Sequence, residues 1–141
     1  MMPGKKILGL DYGEARIGVA VSDIFGMVAT PMETICEKDR GLQLEKTAEI
    51  IAGNNIGKIV VGYPKRMDGT AGHRAEYTKA FAEELSEKTG VEYVLWDERL
   101  SSTEAHRILE EGGVSGKKRK TKVDKIAAVI ILQGYLDSCA H

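Results

Sequence analysis

The stretch KKILGLDYGEARIGVAVSD, residues 5–23, decides the fold. Its first part, KKILGLD, reads as a strand of about five residues ending at Asp11, where turn residues take over. YGEAR is a tight turn. RIGVAVSD alternates and is rich in Val and Ile, which makes it a second strand. Strands joined by so short a turn pair antiparallel.

Working outward, MVATPMETIC (27–36) predicts a third strand, weakened by Pro31, which has no N–H to give a ladder. Asp39 then predicts an N-cap, followed by a helix in which Leu42, Leu44, Ala48, Ile50 and Ile51 recur at roughly helical spacing. IGKIVVGYP (56–64) is short and apolar throughout, like a strand covered on both faces of a parallel sheet. KRMDGTAG (65–72) reads as a loop. A helix from about His73 to Lys88, closed by Gly90, and a strand in VEYVLWDE (91–98) come next. Ser101 with Glu104 three residues later is a capping-box signature, and Gly112 and Gly113 stop that helix. The segment from about 113 to 122 is polar and predicts a mobile basic loop. A largely apolar helix from about Val123 to Ser138 belongs against a sheet. The order β-β-β-α-β-α-β-α-α predicts a single α/β domain over residues 1–141, with a mixed sheet and helices packed on its faces.

The composition fits such a domain: 141 residues, 43% hydrophobic and 29% charged. No apolar run reaches the roughly 18 residues that span a bilayer, and the N-terminus is too soon acidic for a signal peptide. The expected location is the cytoplasm. Cys36 and Cys139 fit no metal or redox spacing. The net charge is only −1, but it hides an asymmetry. Five cations, Lys117, Lys118, Arg119, Lys120 and Lys122, fall within Gly116–Lys122. Without them, 15 basic residues face 21 acidic ones, a net of −6. A local patch of this kind serves phosphate binding as well as a global excess does.

Sites in open α/β sheets lie beyond the carboxyl ends of the parallel strands. Asp11 stands at the carboxyl end of the first strand, Asp97 and Glu98 at that of the last, and Asp124 in the first turn of the final helix. If three parallel strands are neighbours, the outer two are about 10 Å apart, and inward-reaching carboxylates close most of that gap. Such a cluster suits hard divalent cations, Mg2+ or Mn2+. Two of them roughly 4 Å apart activate a water and stabilise the leaving oxygen of a phosphodiester displacement. The basic run would then guide a nucleic-acid backbone past the acids. Each element also has a plainer explanation. Asp124 follows Thr121 by three residues, as a capping-box acid does; Asp11 can close a strand in an Asx-turn; a short basic run is usually a solvated loop.

Four motifs stand in one order: LDYGEARIGVAVSD, IVVGYPKRMDGTAG, DERLSSTEA and KVDKIAAVIIL. Together they resemble the YqgF family of bacterial RNase H-like nucleases, associated with Holliday junction resolution and with maturation of pre-16S rRNA. The resemblance runs from Ile7 to Leu136. It implies an RNase H-like fold, a five-stranded mixed sheet with its first three strands antiparallel and helices on both faces. It implies a metal-binding active site of Asp11, Glu98 (or Asp97) and Asp124. Strand neighbours point to opposite faces, so Asp97 and Glu98 cannot both aim inward if the strand persists. Arg16 and Arg99 become candidates for holding a phosphate or an acid, and Lys117, Lys118, Arg119, Lys120 and Lys122 for contacting nucleic acid. The implied function is metal-dependent hydrolysis at the 5′ end of pre-16S rRNA in ribosome biogenesis. Its partners would be structured RNA and ribosomal particles, with the chain a monomer or homodimer. The rival within the class is a resolvase acting on branched DNA. Two readings lie outside it: a nucleic-acid-binding module without catalysis, and the phosphate-binding start of an actin-like ATPase, which needs a second domain that 141 residues do not supply.

Overall fold

The computed structural model describes residues 5–63, 73–97 and 116–139, with side chains from 74 in the second segment and from 126 in the third. The expected loop at 65–72, the expected helix after Ser101, and Glu98 and Arg99 lie outside the described residues.

The opening stretch folds as its pattern requires. β1 (Lys6–Asp11) and β2 (Arg16–Ser22) form an antiparallel hairpin in which Asp11 pairs with Gly18 and Leu8 with Val21. The third strand differs from expectation. It is broken into β3 (Ala29–Pro31) and β4 (Ile35–Cys36), each pairing antiparallel with β2. The pairing runs past Pro31, with the Met32 N–H donating to the Val19 carbonyl at 2.8 Å, and breaks at Glu33 and Thr34, where the register against β2 shifts by one residue as at a bulge. β5 (Ile56–Tyr63) joins β1 in parallel, and β6 (Glu92–Asp97) joins β5 in parallel. The sheet order is β3-β2-β1-β5-β6, with β4 also on β2, so the expected five-strand path holds with its first member split.

α1 (Arg40–Gly53) starts where Asp39 predicts, the Asp39 carboxylate accepting the Leu42 N–H. Its buried stripe matches the apolar one read from sequence only in part: Ile51 is buried and Leu44 and Ile50 pack against the core. Gln43, Thr47 and Ile51 face inward, while Leu42 is exposed. α2 (His73–Thr89) and α1 cover one face of the sheet, where Leu8, Leu10, Ile17, Val19, Ile59 and Val61 meet Ile51, Phe81 and Leu85. α3 (Gly116–Cys139) covers the other, where Ala128, Ile131, Leu132 and Leu136 meet Ala20 and Val60. β5 thus buries Ile59 and Val61 on one side and Val60 on the other, which is why its sequence is apolar without alternation. Each such aliphatic side chain withdrawn from water contributes about 1.5–3 kcal/mol.

α3 corrects a second expectation. Its backbone is helical from Gly116, so residues 116–122 are helix rather than loop. Lys and Arg are good helix formers, and nothing between Gly116 and Gly134 interrupts the helix. α3 also seats closely. A methyl group at Gly9 would lie 2.6 Å from Leu132 Cβ and 3.3 Å from the Ala128 carbonyl oxygen. Only glycine lets the helix rest on β1 at that distance.

Candidate active site

The carboxyl ends of β1, β5 and β6 lie side by side, as the parallel pairings require. Alternation along β1 assigns the faces. Leu8 and Leu10 point to α1 and α2, so Gly9 and Asp11 point to the α3 side. The next residue returns to the first face: Tyr12 is buried and stacks on Phe81, with ring centroids 4.5 Å apart. Asp11 is 7% exposed, an unusual state for a carboxylate. Arg74, in the first turn of α2, reaches it. Arg74 Nη2 lies 3.8 Å from Asp11 Oδ1 and donates to the Tyr12 carbonyl at 3.4 Å.

Asp97 ends β6 with the opposite orientation. Tyr93 and Leu95 pack into the α1/α2 core, and the same parity puts Asp97 on that side. It lines a cleft of about 480 Å³ with Tyr63, Lys79, Leu95 and Trp96. Asp97 and Asp11 are therefore on opposite faces of the sheet. Arg16 shares the face of Asp11: Ile17 and Val19 enter the α1/α2 core, and Arg16 stands two residues beyond Gly18, the partner of Asp11.

The helix carrying Asp124 runs antiparallel to β1. Leu136 lies with Lys6 and Ile7 at the amino end of the strand, and Leu132 sits over Gly9. Eight residues before Leu132, about 12 Å along the helix axis, the backbone of Asp124 stands beyond the carboxyl end of β1. The side chains of Asp124 and of Lys117, Lys118, Arg119, Lys120 and Lys122 lie outside those described. Among the described residues no three metal-ligating side chains gather.

Two residues at this end carry no motif. Arg74 is one. Gln43 is the other: 1% exposed, its amide nitrogen donates to the carbonyls of Gly13 at 3.2 Å, Glu14 at 3.0 Å and Glu37 at 2.7 Å. It ties the β1–β2 turn, two residues past Asp11, to the start of α1. The only signal in the sequence is an i, i+4, i+8 spacing with Thr47 and Ile51.

A mixed sheet of this order, with helices on both faces and an acid at the carboxyl end of β1, is the RNase H-like architecture of resolvases and related nucleases. Residues 5–138 match the profile of the RuvX family, described as "Holliday junction resolvase", and the chain belongs to that family. It is 49% identical over 138 residues to a protein of Shouchella clausii named "Putative pre-16S rRNA nuclease", covering 96% of this chain and 97% of that one. A protein of the same name from Bacillus cytotoxicus is 50% identical over 135 residues, covering 94% and 98%. Among solved structures, RuvC of Thermus thermophilus in complex with a Holliday junction substrate shares the fold, with a TM-score of 0.58 at 13% identity over 96% of this chain and 95% of that one.

Proposed function

We propose that the chain is a metal-dependent endonuclease that hydrolyses phosphodiester bonds in the 5′ region of pre-16S rRNA, in the cytoplasm. One observation carries the site: a nearly buried carboxylate, Asp11, at the carboxyl end of the central strand, on the face that α3 crosses. The substrate reading rests on the names of relatives about half identical over nearly their whole length. Asp11, Glu98 and Asp124 would hold the cation. Their donors are all carboxylate oxygens, which suit Mg2+ or Mn2+. Asp97 lines the cleft on the opposite face from Asp11, which supports taking its neighbour Glu98 as the ligand. A bound divalent cation supplies acidity to the attacking water and offsets charge on the departing oxygen.

The chain's own groups do the rest. Asp11 is fixed from both sides, by the Tyr12 ring stacked in the core and by the turn that Gln43 holds. Arg74 balances the Asp11 charge and sits where a substrate phosphate would approach. Arg16 lies on the same face. The basic run at the start of α3 attracts the phosphate backbone toward these groups. Resolution of branched DNA is the second reading, favoured by the family description. It needs two symmetric cuts and hence a two-fold dimer.

The test is a cleavage assay on an RNA spanning the small-subunit 5′ boundary and on a four-way DNA junction, with Mg2+, Mn2+ or EDTA. We expect metal-dependent cutting of the RNA, abolished in Asp11→Asn with the fold intact. Unchanged turnover in that variant would overturn the site. Cutting of the junction alone would replace the rRNA reading with the resolvase.

A further inference from the structure

The end of the sheet opposite Asp11 is built in an unexpected way. Six large hydrophobic side chains are exposed among the described residues, and four of them, Ile24, Phe25, Met27 and Val28, fall in the β2–β3 turn. Phe25 is 69% exposed and Met27 67%. A floppy turn could fold such residues back, but this turn is held. The Asp23 carboxylate accepts the N–H groups of Met27 at 2.8 Å and Val28 at 3.0 Å. Gly26, at φ 68°, takes the left-handed conformation and donates to the Asp23 carbonyl. From α3, the Gln133 amide donates to the Met27 carbonyl and accepts the Ala29 N–H, each at 2.9 Å. The backbone therefore keeps four apolar side chains facing water.

Beside the turn is a pocket of about 280 Å³, lined by Gly26, Ile7, Leu136 and three lysines, Lys5, Lys6 and Lys58. The nearby acids are mostly engaged. Asp23 serves the turn, Asp137 accepts from Gln133, and Glu92 lies 3.4 Å from Lys58 Nζ. Lys58 also donates to the Tyr135 hydroxyl. Lys6 carries no such tie among the contacts described, and Lys5 reaches only the Asn55 amide oxygen.

We propose that this end is a second nucleic-acid contact, with Phe25 and Met27 stacking on an unpaired base and Lys5 and Lys6 holding the adjoining phosphates. The proposal rests on the nuclease reading above. An exposed aromatic beside a basic pocket is the arrangement that takes single strands without base readout, and apolar side chains of this kind also wedge between bases. A second copy of the chain fits less well, because a two-fold contact would set these lysines against their own kind. Five residue steps separate Lys6 from Asp11, about 17 Å along β1. A stacked strand advances about 3.4 Å per nucleotide, so a substrate reaching both ends spans at least about five nucleotides.

The experiment uses the full chain in EDTA with labelled single-stranded RNAs of about four and about fourteen nucleotides, chosen to fall short of and to exceed that span. For the longer RNA, Phe25→Ala with Met27→Ala should lose about tenfold in affinity, within the range for one stacked base. The short RNA, which can also sit at the Asp11 end alone, should show the smaller loss. Lys5→Gln with Lys6→Gln should lower the log–log salt slope by about 1.4, at 0.7 per phosphate contact on a single strand. Phe25→Trp, a surface exchange that leaves the core alone, should gain an emission that the longer RNA quenches. Wild-type affinity and slope in both double variants, or no quenching, would overturn the proposal. So would retained RNA binding combined with lost binding to purified small ribosomal subunits, since that outcome makes the partner a protein. The nuclease reading fails separately, if the wild-type chain with Mg2+ or Mn2+ cleaves neither the RNA nor the four-way junction.

Discussion

Substituting Gly9 by alanine tests the link between packing and site. The added methyl would lie 2.6 Å from Leu132 Cβ, where ordinary carbon contacts begin near 3.5 Å. Rotating the Leu132 side chain cannot relieve this, because a Cβ is placed by the backbone alone. The Ala128 carbonyl at 3.3 Å blocks a sideways escape. The whole of α3 must therefore lift from β1 by about 1 Å. Overpacking of this kind costs about 1–3 kcal/mol. For a domain of this size each kcal/mol lowers Tm by roughly 4 °C, so thermal unfolding followed by circular dichroism should fall by roughly 4–12 °C. Since α3 carries Asp124 and the basic run, a displacement of about 1 Å should also slow cleavage by up to about a hundredfold. Leu132→Ala should not rescue either defect, because it keeps the clashing atom and adds its own loss of buried surface. An unchanged melting temperature in Gly9→Ala would refute the seating of α3 described above. A lower Tm with full activity would detach α3 from the chemistry.

Gln43→Leu should cost about 2 kcal/mol by leaving three carbonyls without their donor, and should lower kcat while RNA affinity holds, as Asp11 loses its fixed position; equal kcat would remove Gln43 from any positioning role. Neutralising Lys117, Lys118, Arg119 and Lys120 together should weaken nucleic-acid binding and flatten its salt dependence, read by anisotropy across a salt series; an unchanged slope would mean that these cations do not meet phosphates. The Val28 and Met27 N–H groups hold the Asp23 carboxyl below its ordinary range. Its contribution to the β2–β3 turn is therefore present above the unfolded pKa and lost as pH falls through the lower folded one. Amide exchange at Met27 and Val28 should become less protected in acid, and Asp23→Asn should remove that dependence; protection flat with pH in the wild type would contradict it.

Much of this was legible in the sequence because it depended on local pattern. The hairpin of residues 6–22, the doubly buried β5, the Asp39 cap and the end of α2 before Gly90 each follow from neighbours a few positions apart. Asp11 was legible for the same reason, since strand ends show in sequence. The misses have a common cause. Two of the three buried positions of α1 are polar, so hydrophobic spacing pointed to Leu42, while Gln43 is buried on carbonyls about 30 positions away and Thr47 on the Gln43 carbonyl one turn back. The charge at 117–122 resembled a loop because a helix end with no apolar residue gives no periodicity. Arg74 meets Asp11 only because α2 begins beside the end of β1, a proximity of 63 positions in sequence that no local pattern records.

α3 has one further consequence. A single uninterrupted helix of 24 residues, about 36 Å long, is fixed in its second half by Leu132 over Gly9 and by Gln133 on the β2–β3 turn, and it carries the basic run at its start. It is a rigid shaft with its bearings at one end. Inserting or deleting one residue between Thr121 and Ile126 would turn the basic end by about 100° against the sheet and shift it by about 1.5 Å, with the core contacts from Ala127 onward kept. Substitutions along that segment can be absorbed one at a time, whereas a change in its length cannot. The spacing of this helix is thus a ruler, and the family's tolerance for insertions should vanish between the residues that bind the sheet and the basic run.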